Sequence, residues 1–378
     1  MKNKSRLEKK KILYIMHIPW GWIKQRPHFI AEHLSKDFDV TVKYRHSNRV
    51  NQKNLVNKKP LLVNNLSISG YRIITFDKIP VVNKFNFEWL NKLLFKFYIN
   101  NINKYDYIWI TSPLIYQYLS IKKMNIKVIY DCMDDFLEFS SVKDYKKIEN
   151  IFFNLEKEII EKVEIVICSS KYLLNILKKR YNTERRIYLI NNAMSLSAFN
   201  NNIQFKNNKL FKKIVKFENP FIYVGTISEW FDFDSILTLL NNIKNINVLL
   251  YGPIRNIKVP AHKQLHIMGT IDHKYIYEIM KCAKALIMPF KVNKLILSVN
   301  PVKMYEYIYS GKPIIATKYA ETENFKNYIY LYVNAEELIQ ISDSIINNIA
   351  KKFDENLMKN FALRNTWENR YNSIRELL

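Results

Sequence analysis

The sequence predicts an α/β protein made of two Rossmann-like halves, and three observations carry that expectation. The chain has 378 residues, more than one hydrophobic core usually serves, so two domains of ordinary size are expected. Short β-rich runs alternate with longer helical patterns along nearly the whole length, the rhythm of parallel sheets covered by helices on both faces. Midway, a polar stretch rich in Asn and Lys, within 193–219 and closed by Pro220, interrupts that rhythm. Hydrophobic residues at 48% and charged residues at 25% fit a folded globular chain rather than a disordered one.

In the first half, strands are expected at KILYIM (11–16), DVTVKY (39–44), YIWITS (107–112), KVIYDC (127–132), IVICS (165–169) and RIYLI (186–190). The second half restarts with FIYVG (221–225) and continues through NVLLYG (247–252), LHIMG (265–269), ALIMPF (285–290), PIIAT (313–317) and IYLYV (329–333). This gives a first domain over 1–200 and a second over 215–355. The remainder, 356–378, reads as one long helix packing back on the first domain.

Lys and Arg outnumber Asp and Glu by 59 to 34, a formal net charge of +25. Such a field suits a nucleic acid, an anionic membrane or an anionic substrate. Lys is abundant everywhere in the chain, so a compositional bias explains the charge equally well. Charge is the only support for a nucleic-acid partner, since no aromatic-basic recognition motif is visible. No nucleic acid is therefore expected. Cys132, Cys168 and Cys282 form no CxxC or Cys/His cluster, which argues against a disulfide framework or a structural zinc. The start MKNKSRLEKKKILYIM lacks the apolar core and cleavage site of a signal peptide, and no window holds about 18 uncharged apolar residues. A cytoplasmic protein is the expectation. The basic, amphipathic stretch FNFEWLNKLLFKFYINNINK (85–104) permits a place on a membrane surface, or a simpler role as a helix covering the first sheet.

Only six glycines occur, and Gly225, Gly252, Gly269 and Gly311 each follow a strand or helix of the second half. Glycine is expected where the backbone takes positive φ or approaches a ligand closely. Dinucleotide and P-loop fingerprints are absent. The densest signal is SVNPVKMYEYIYSGKP (298–313), where Asn300 can cap a helix, Pro301 can open it, and Gly311 with Pro313 end it. Free N–H groups at such a helix start, with the helix dipole and Lys303 in the first turn, favour a phosphate. Glu306, three residues on, can accept hydrogen bonds from two ribose hydroxyls. An ordinary capped helix with a Lys303–Glu306 surface pair is the plainer alternative.

At this point the sequence resembles the family 4 and related GT-B glycosyltransferases, near the branch of teichuronic acid synthesis proteins and the xanthan glucuronosyltransferase. In that family's donor motif one Glu is followed, after seven residues, by a second. Glu306 matches the second, while Ser298 stands at the first, so the resemblance to a retaining enzyme is incomplete. The likeness extends to WGWIKQRPHFIAEHL (20–34), YDCMDD (130–135) and YVGTISEWFD (223–232). It implies two Rossmann-like domains with parallel sheets facing an interdomain cleft. It also implies a nucleotide diphosphate sugar, as a UDP-sugar or GDP-sugar, held by Gly225, Arg255, Ser298, Val299, Asn300, Lys303 and Glu306. Gly21, Lys24, Gln25 and Arg26 would lie near the acceptor, a cell-surface polysaccharide or lipid-linked glycan on the inner face of the membrane. Trp20 and Trp22 of the same loop read equally as packing aromatics.

YDCMDD places Asp131, Asp134 and Asp135 at the C-terminal end of a strand, where open α/β sheets carry their sites. In an inverting reaction Asp131 or Asp134 would serve as general base; otherwise the cluster caps the next helix. Asp232 and Asp234 sit at a helix start rather than in a metal-binding DxD, so neither a cofactor nor an essential metal is expected. Two rival functions remain: a nucleotide-sugar epimerase of the same fold, and a basic nucleic-acid-binding protein.

Overall fold

The computed structural model describes residues 9–20, 24–45, 66–71, 88–99, 101–119, 126–196, 199 and 209–378. The chain forms two compact units. One holds Met1–Ile190 with Tyr371–Leu378, the other Asn191–Arg370.

The first unit is built on a seven-stranded parallel sheet of order β3-β2-β1-β4-β5-β6-β7. Its strands are β1 (Lys11–Met16), β2 (Asp39–Arg45), β3 (Leu66–Tyr71), β4 (Tyr107–Ile110), β5 (Lys127–Cys132), β6 (Ile165–Cys168) and β7 (Ile187–Leu189). The apolar run of β1 is buried from Ile12 to Met16 because helices cover both faces of a parallel sheet. Strand β3 is the one the sequence hides. Its buried Leu66 and Ile68 alternate with the serines of LSISGY on a sheet edge, a signal too short and too polar to separate from a loop. The basic helix, Glu88–Tyr98, turns Asn91 and Phe95 inward, and Phe95 meets Tyr71 edge-on at 5.5 Å.

The second unit has a six-stranded parallel sheet of order β10-β9-β8-β11-β12-β13. These are β8 (Pro220–Val224), β9 (Asn247–Tyr251), β10 (Leu265–Gly269), β11 (Ala285–Met288), β12 (Ile314–Thr317) and β13 (Tyr330–Tyr332). Apolar clusters fill both faces, one around Ile222, Leu249 and Tyr307, the other around Phe221, Ile236 and Leu250.

The terminal stretch departs from expectation. Two helices, Glu355–Leu363 and Trp367–Arg375, replace the single long one, and between them Thr366 pairs with Met194 in a parallel bridge. Arg370 donates to the carbonyls of Asn191 and Asn192 within the second unit, while Tyr371 donates to Asp37 at 2.6 Å within the first. Among the described residues no helix is long and apolar enough to cross a membrane.

Candidate functional site

In the first unit the chain leaves β1 toward β2 and β3 and resumes at β4 on the other side, so the loops after β1 and β4 diverge. That switch point is where open α/β sheets bind ligands. His17 follows β1 and Thr111 follows β4. The Thr111 hydroxyl accepts from the His17 backbone N–H at 3.1 Å and lies 2.8 Å from the imidazole Nδ1. Phe136 packs edge-on against the ring, with centroids 5.3 Å apart. Burial, with repulsion from Arg45, pushes the imidazole down to about 4, so it is neutral at physiological pH. Sequence reasoning missed His17, although it is the first polar residue after the first strand.

The aspartates of YDCMDD divide into three roles. Asp131 is fully buried, and its carboxylate accepts from Arg26 Nε at 3.0 and 3.1 Å and pairs with the second guanidinium nitrogen at 2.9 Å. Arg26 also donates to the Ile190 carbonyl at 2.7 Å. This corrects two expectations: Asp131 as base and Arg26 as a substrate contact are both consumed by an internal ion pair. Asp135 accepts from the Leu137 N–H, capping the short helix Phe136–Glu138, and is held by Arg180. Capping thus accounts for this one aspartate. Asp134 is half-buried, and among the described residues nothing is bonded to its carboxylate. Burial raises it to about 6; Arg26 opposes the shift, and the charges of Asp135 and Asp131 add to it.

Of the predicted acceptor loop, Gly21 and Trp22 lie outside the described residues, and Trp20 packs on His28 with ring centroids 4.9 Å apart. Lys24 is exposed and paired with Glu32, while Gln25 caps the helix Arg26–Leu34 and its N–H donates to His28.

In the second unit the switch point falls between β8 and β11. Three glycines line up beside it. Gly225 N–H donates to the Tyr251 carbonyl and Gly252 N–H to that of Gly269, each at 2.9 Å. Gly252 has φ +144°, and a Cβ there would lie 1.8 Å from the Gly225 carbonyl oxygen. Only glycine allows this approach. Arg255 is exposed, with its backbone tied to Ile227 and Ser228.

The helix expected after SVNP spans Val302–Tyr309 and ends at Gly311, whose φ is +71°. Its Tyr307 hydroxyl accepts the Val224 N–H at 2.8 Å, fixing the helix against the end of β8. Glu306 is 4% exposed and accepts from Lys303 at 2.7 Å, a half-buried pair rather than a surface one. Asn300 is not the cap, a further correction: Pro301 holds that position. The Asn300 amide instead donates to Glu321 and accepts from the Asn192 N–H and the Tyr305 hydroxyl, anchoring the linker to this helix. Ser298 is fully buried with its hydroxyl on the Leu295 carbonyl, and the Val299 carbonyl accepts from Tyr319. The Ser298 side chain is thus closed off from solvent, while Val299 is half-buried. Asp232 caps the helix Phe233–Asn242, as its sequence position implies. Among the described residues no group of three or more His, Cys, Asp or Glu is arranged to hold a metal.

Two doubly wound parallel sheets of this order form the two-domain GT-B fold, and solved structures agree. Sucrose-phosphate synthase from Thermosynechococcus elongatus aligns with a TM-score of 0.72 at 15% identity, over 97% of this chain and 98% of that one. Anabaena HepE, solved with UDP and glucose, aligns at 0.70 with 12% identity over the same shares. At the level of sequence the chain is similar to Bacillus subtilis TuaH, assigned as a teichuronic acid biosynthesis glycosyltransferase. The two are 24% identical over 278 residues, 69% of this chain and 68% of TuaH. No family model matches the sequence.

Proposed function

We propose that the protein is a metal-independent hexosyltransferase that moves a sugar from a UDP-sugar or GDP-sugar to a cell-surface polysaccharide or lipid-linked glycan. The observation that carries this is the Lys303–Glu306 pair on the helix Val302–Tyr309, whose Tyr307 hydroxyl holds the Val224 N–H at the end of β8, next to Gly225. Resemblance to TuaH and to a fold that in HepE holds UDP-glucose supports the reading.

The first-turn amides and the Lys303 ammonium supply positive charge for the diphosphate, and Glu306 accepts from the ribose hydroxyls. Lys303 exchanges Glu306 for phosphate when the donor arrives. On the acceptor side Asp134 is the base. Its raised proton affinity matches the requirement that a base be ionised near neutral pH yet hold a proton well. The acceptor oxygen forms its bond to the anomeric carbon as its proton passes to Asp134. The bond from that carbon to the diphosphate oxygen breaks, and the nucleoside diphosphate leaves with the electron pair. Neutral His17 offers its Nε2 to a sugar hydroxyl, with the ring held by Thr111. This reaction inverts the anomeric centre.

The test is a screen of nucleotide sugars with candidate glycan acceptors, read as release of nucleoside diphosphate. Release that depends on acceptor is the expected result. Conversion of the donor alone would make the protein an epimerase and contradict the proposal.

A further inference from the structure

The helix Val302–Tyr309 starts without the device that usually fixes a helix start. Pro301 stands at the capping position and makes no side-chain bond to the first turn. Further along, the Tyr307 hydroxyl pins the helix to β8. The first turn, which carries Lys303, is held from elsewhere.

That hold is Asn300, whose amide is 2% exposed and engaged on both atoms. Its oxygen accepts from the Asn192 N–H at 3.0 Å and from the Tyr305 hydroxyl at 3.2 Å, and its nitrogen donates to Glu321 at 2.9 Å. A backbone N–H can only donate, so the amide oxygen faces Asn192 and the nitrogen faces Glu321. The contact is reciprocal, because the Asn192 side-chain nitrogen donates to the Asn300 carbonyl at 2.7 Å. Two asparagines 108 positions apart are thus joined by two buried hydrogen bonds. Asn192 lies one residue inside the second unit, which runs from Asn191 to Arg370. Arg370 in turn donates to the Asn191 and Asn192 carbonyls, so both ends of this unit meet at the segment that holds the helix start.

We infer, on the basis of the donor site proposed above, that Asn192 and Asn300 are positioning residues for donor binding. The segment entering the second unit, and not a cap on the helix itself, sets where Lys303 and Glu306 stand. Both asparagines act through the helix. A helix of two turns moves as a rod, so a shift of its first turn carries both charged groups with it. A binding site loses affinity when its supporting residues let it drift by a fraction of an ångström.

Calorimetric titration of the full chain with UDP-glucose and with GDP-mannose tests this, at a temperature where denaturation curves show each variant folded. Under that condition a damaged preparation loses sites and keeps its Kd, whereas a misplaced first turn keeps its sites and weakens Kd. Asn192→Ala leaves the backbone donor in place and deletes the bond to the Asn300 carbonyl, and should weaken Kd about 3- to 10-fold. Asn300→Asp sets a carboxylate against Glu321 and should weaken it about 30-fold or more. Asn300→Asp/Glu321→Gln puts a donor opposite an acceptor again and should return Kd to within about 3-fold of wild type. The control is Gln264→Ala. Gln264 is also a buried amide of the second unit, bonded to the carbonyls of Ile243, Lys244 and Ile246, and its loss should lower stability without moving Kd. Unchanged Kd in Asn192→Ala and Asn300→Asp, beside a Glu306→Ala that binds weakly, would overturn the positioning role and leave the donor site standing. Equal weakening in Gln264→Ala, or no recovery in the exchanged pair, would overturn it as well. Unchanged Kd in Glu306→Ala, or no binding by wild type, would remove the donor site and the positioning role with it.

Discussion

Asp134 and Glu306 are the two carboxylates on which the proposed chemistry rests, and their surroundings are opposite. Glu306 is almost wholly buried but has Lys303 on the same helix at 2.7 Å, so its charge is compensated before any ligand arrives. Asp134 is less buried, yet no cation is bonded to it among the described residues, because Arg26 is taken by Asp131 and Arg180 by Asp135. The comparison shows that burial alone does not set a carboxylate's task. A pre-paired carboxylate is suited to hold neutral hydroxyls in a fixed place. An unpaired one, raised to about 6, is suited to take a proton.

The sharpest way to break this contrast is Asp134→Asn. Turnover should fall about 10²- to 10⁴-fold, the usual worth of a general base, with donor affinity unchanged. In wild type, kcat/KM should rise with pH through about 6 and level off above it, since only the ionised form is a base. A flat profile from pH 5 to 8 would remove Asp134 from the mechanism.

Arg26→Ala comes next. It strands the buried Asp131 charge, and losses of about 3 to 5 kcal/mol are typical when one partner of a buried ion pair is removed. Chemical denaturation of the purified variant measures this. A stable Arg26→Ala with impaired acceptor binding would instead reinstate Arg26 as a substrate contact.

A smaller effect has the opposite sign. Asp134 binds its proton more tightly in the folded chain, at about 6, than at its ordinary 3.8. Stability is therefore lost as pH rises through that window, and above it the ionised group is a standing cost. Asp134→Asn should be more stable than wild type by roughly 1 to 3 kcal/mol at pH 7.5, and equal to it near pH 4. An inactive variant that is also more stable would mark a residue kept for chemistry.

The fold was largely legible in sequence because both sheets are parallel and buried, so their strands stand out as apolar runs between helices. Strand β3 escaped because an edge needs only one apolar face. The helix after SVNP was legible from Pro301 and Gly311, yet the task of Asn300 was not, since its partners Asn192 and Glu321 are distant in sequence. The same limit hid the Arg26–Asp131 pair, whose members are 105 positions apart. A lone histidine reads as packing, and only the strand order puts His17 at a switch point beside Thr111.

The proposed donor site is the helix beginning at Val302, with Glu306 holding a nucleoside diphosphate sugar. Calorimetric titration of UDP-glucose and GDP-mannose into wild type and Glu306→Ala tests it most directly. Wild type is expected to bind at least one of them, and the variant to bind it more weakly by about 1 to 3 kcal/mol, the range for hydrogen bonds to a charged group. Equal affinity in the two proteins, or no binding of either donor by wild type, would contradict it.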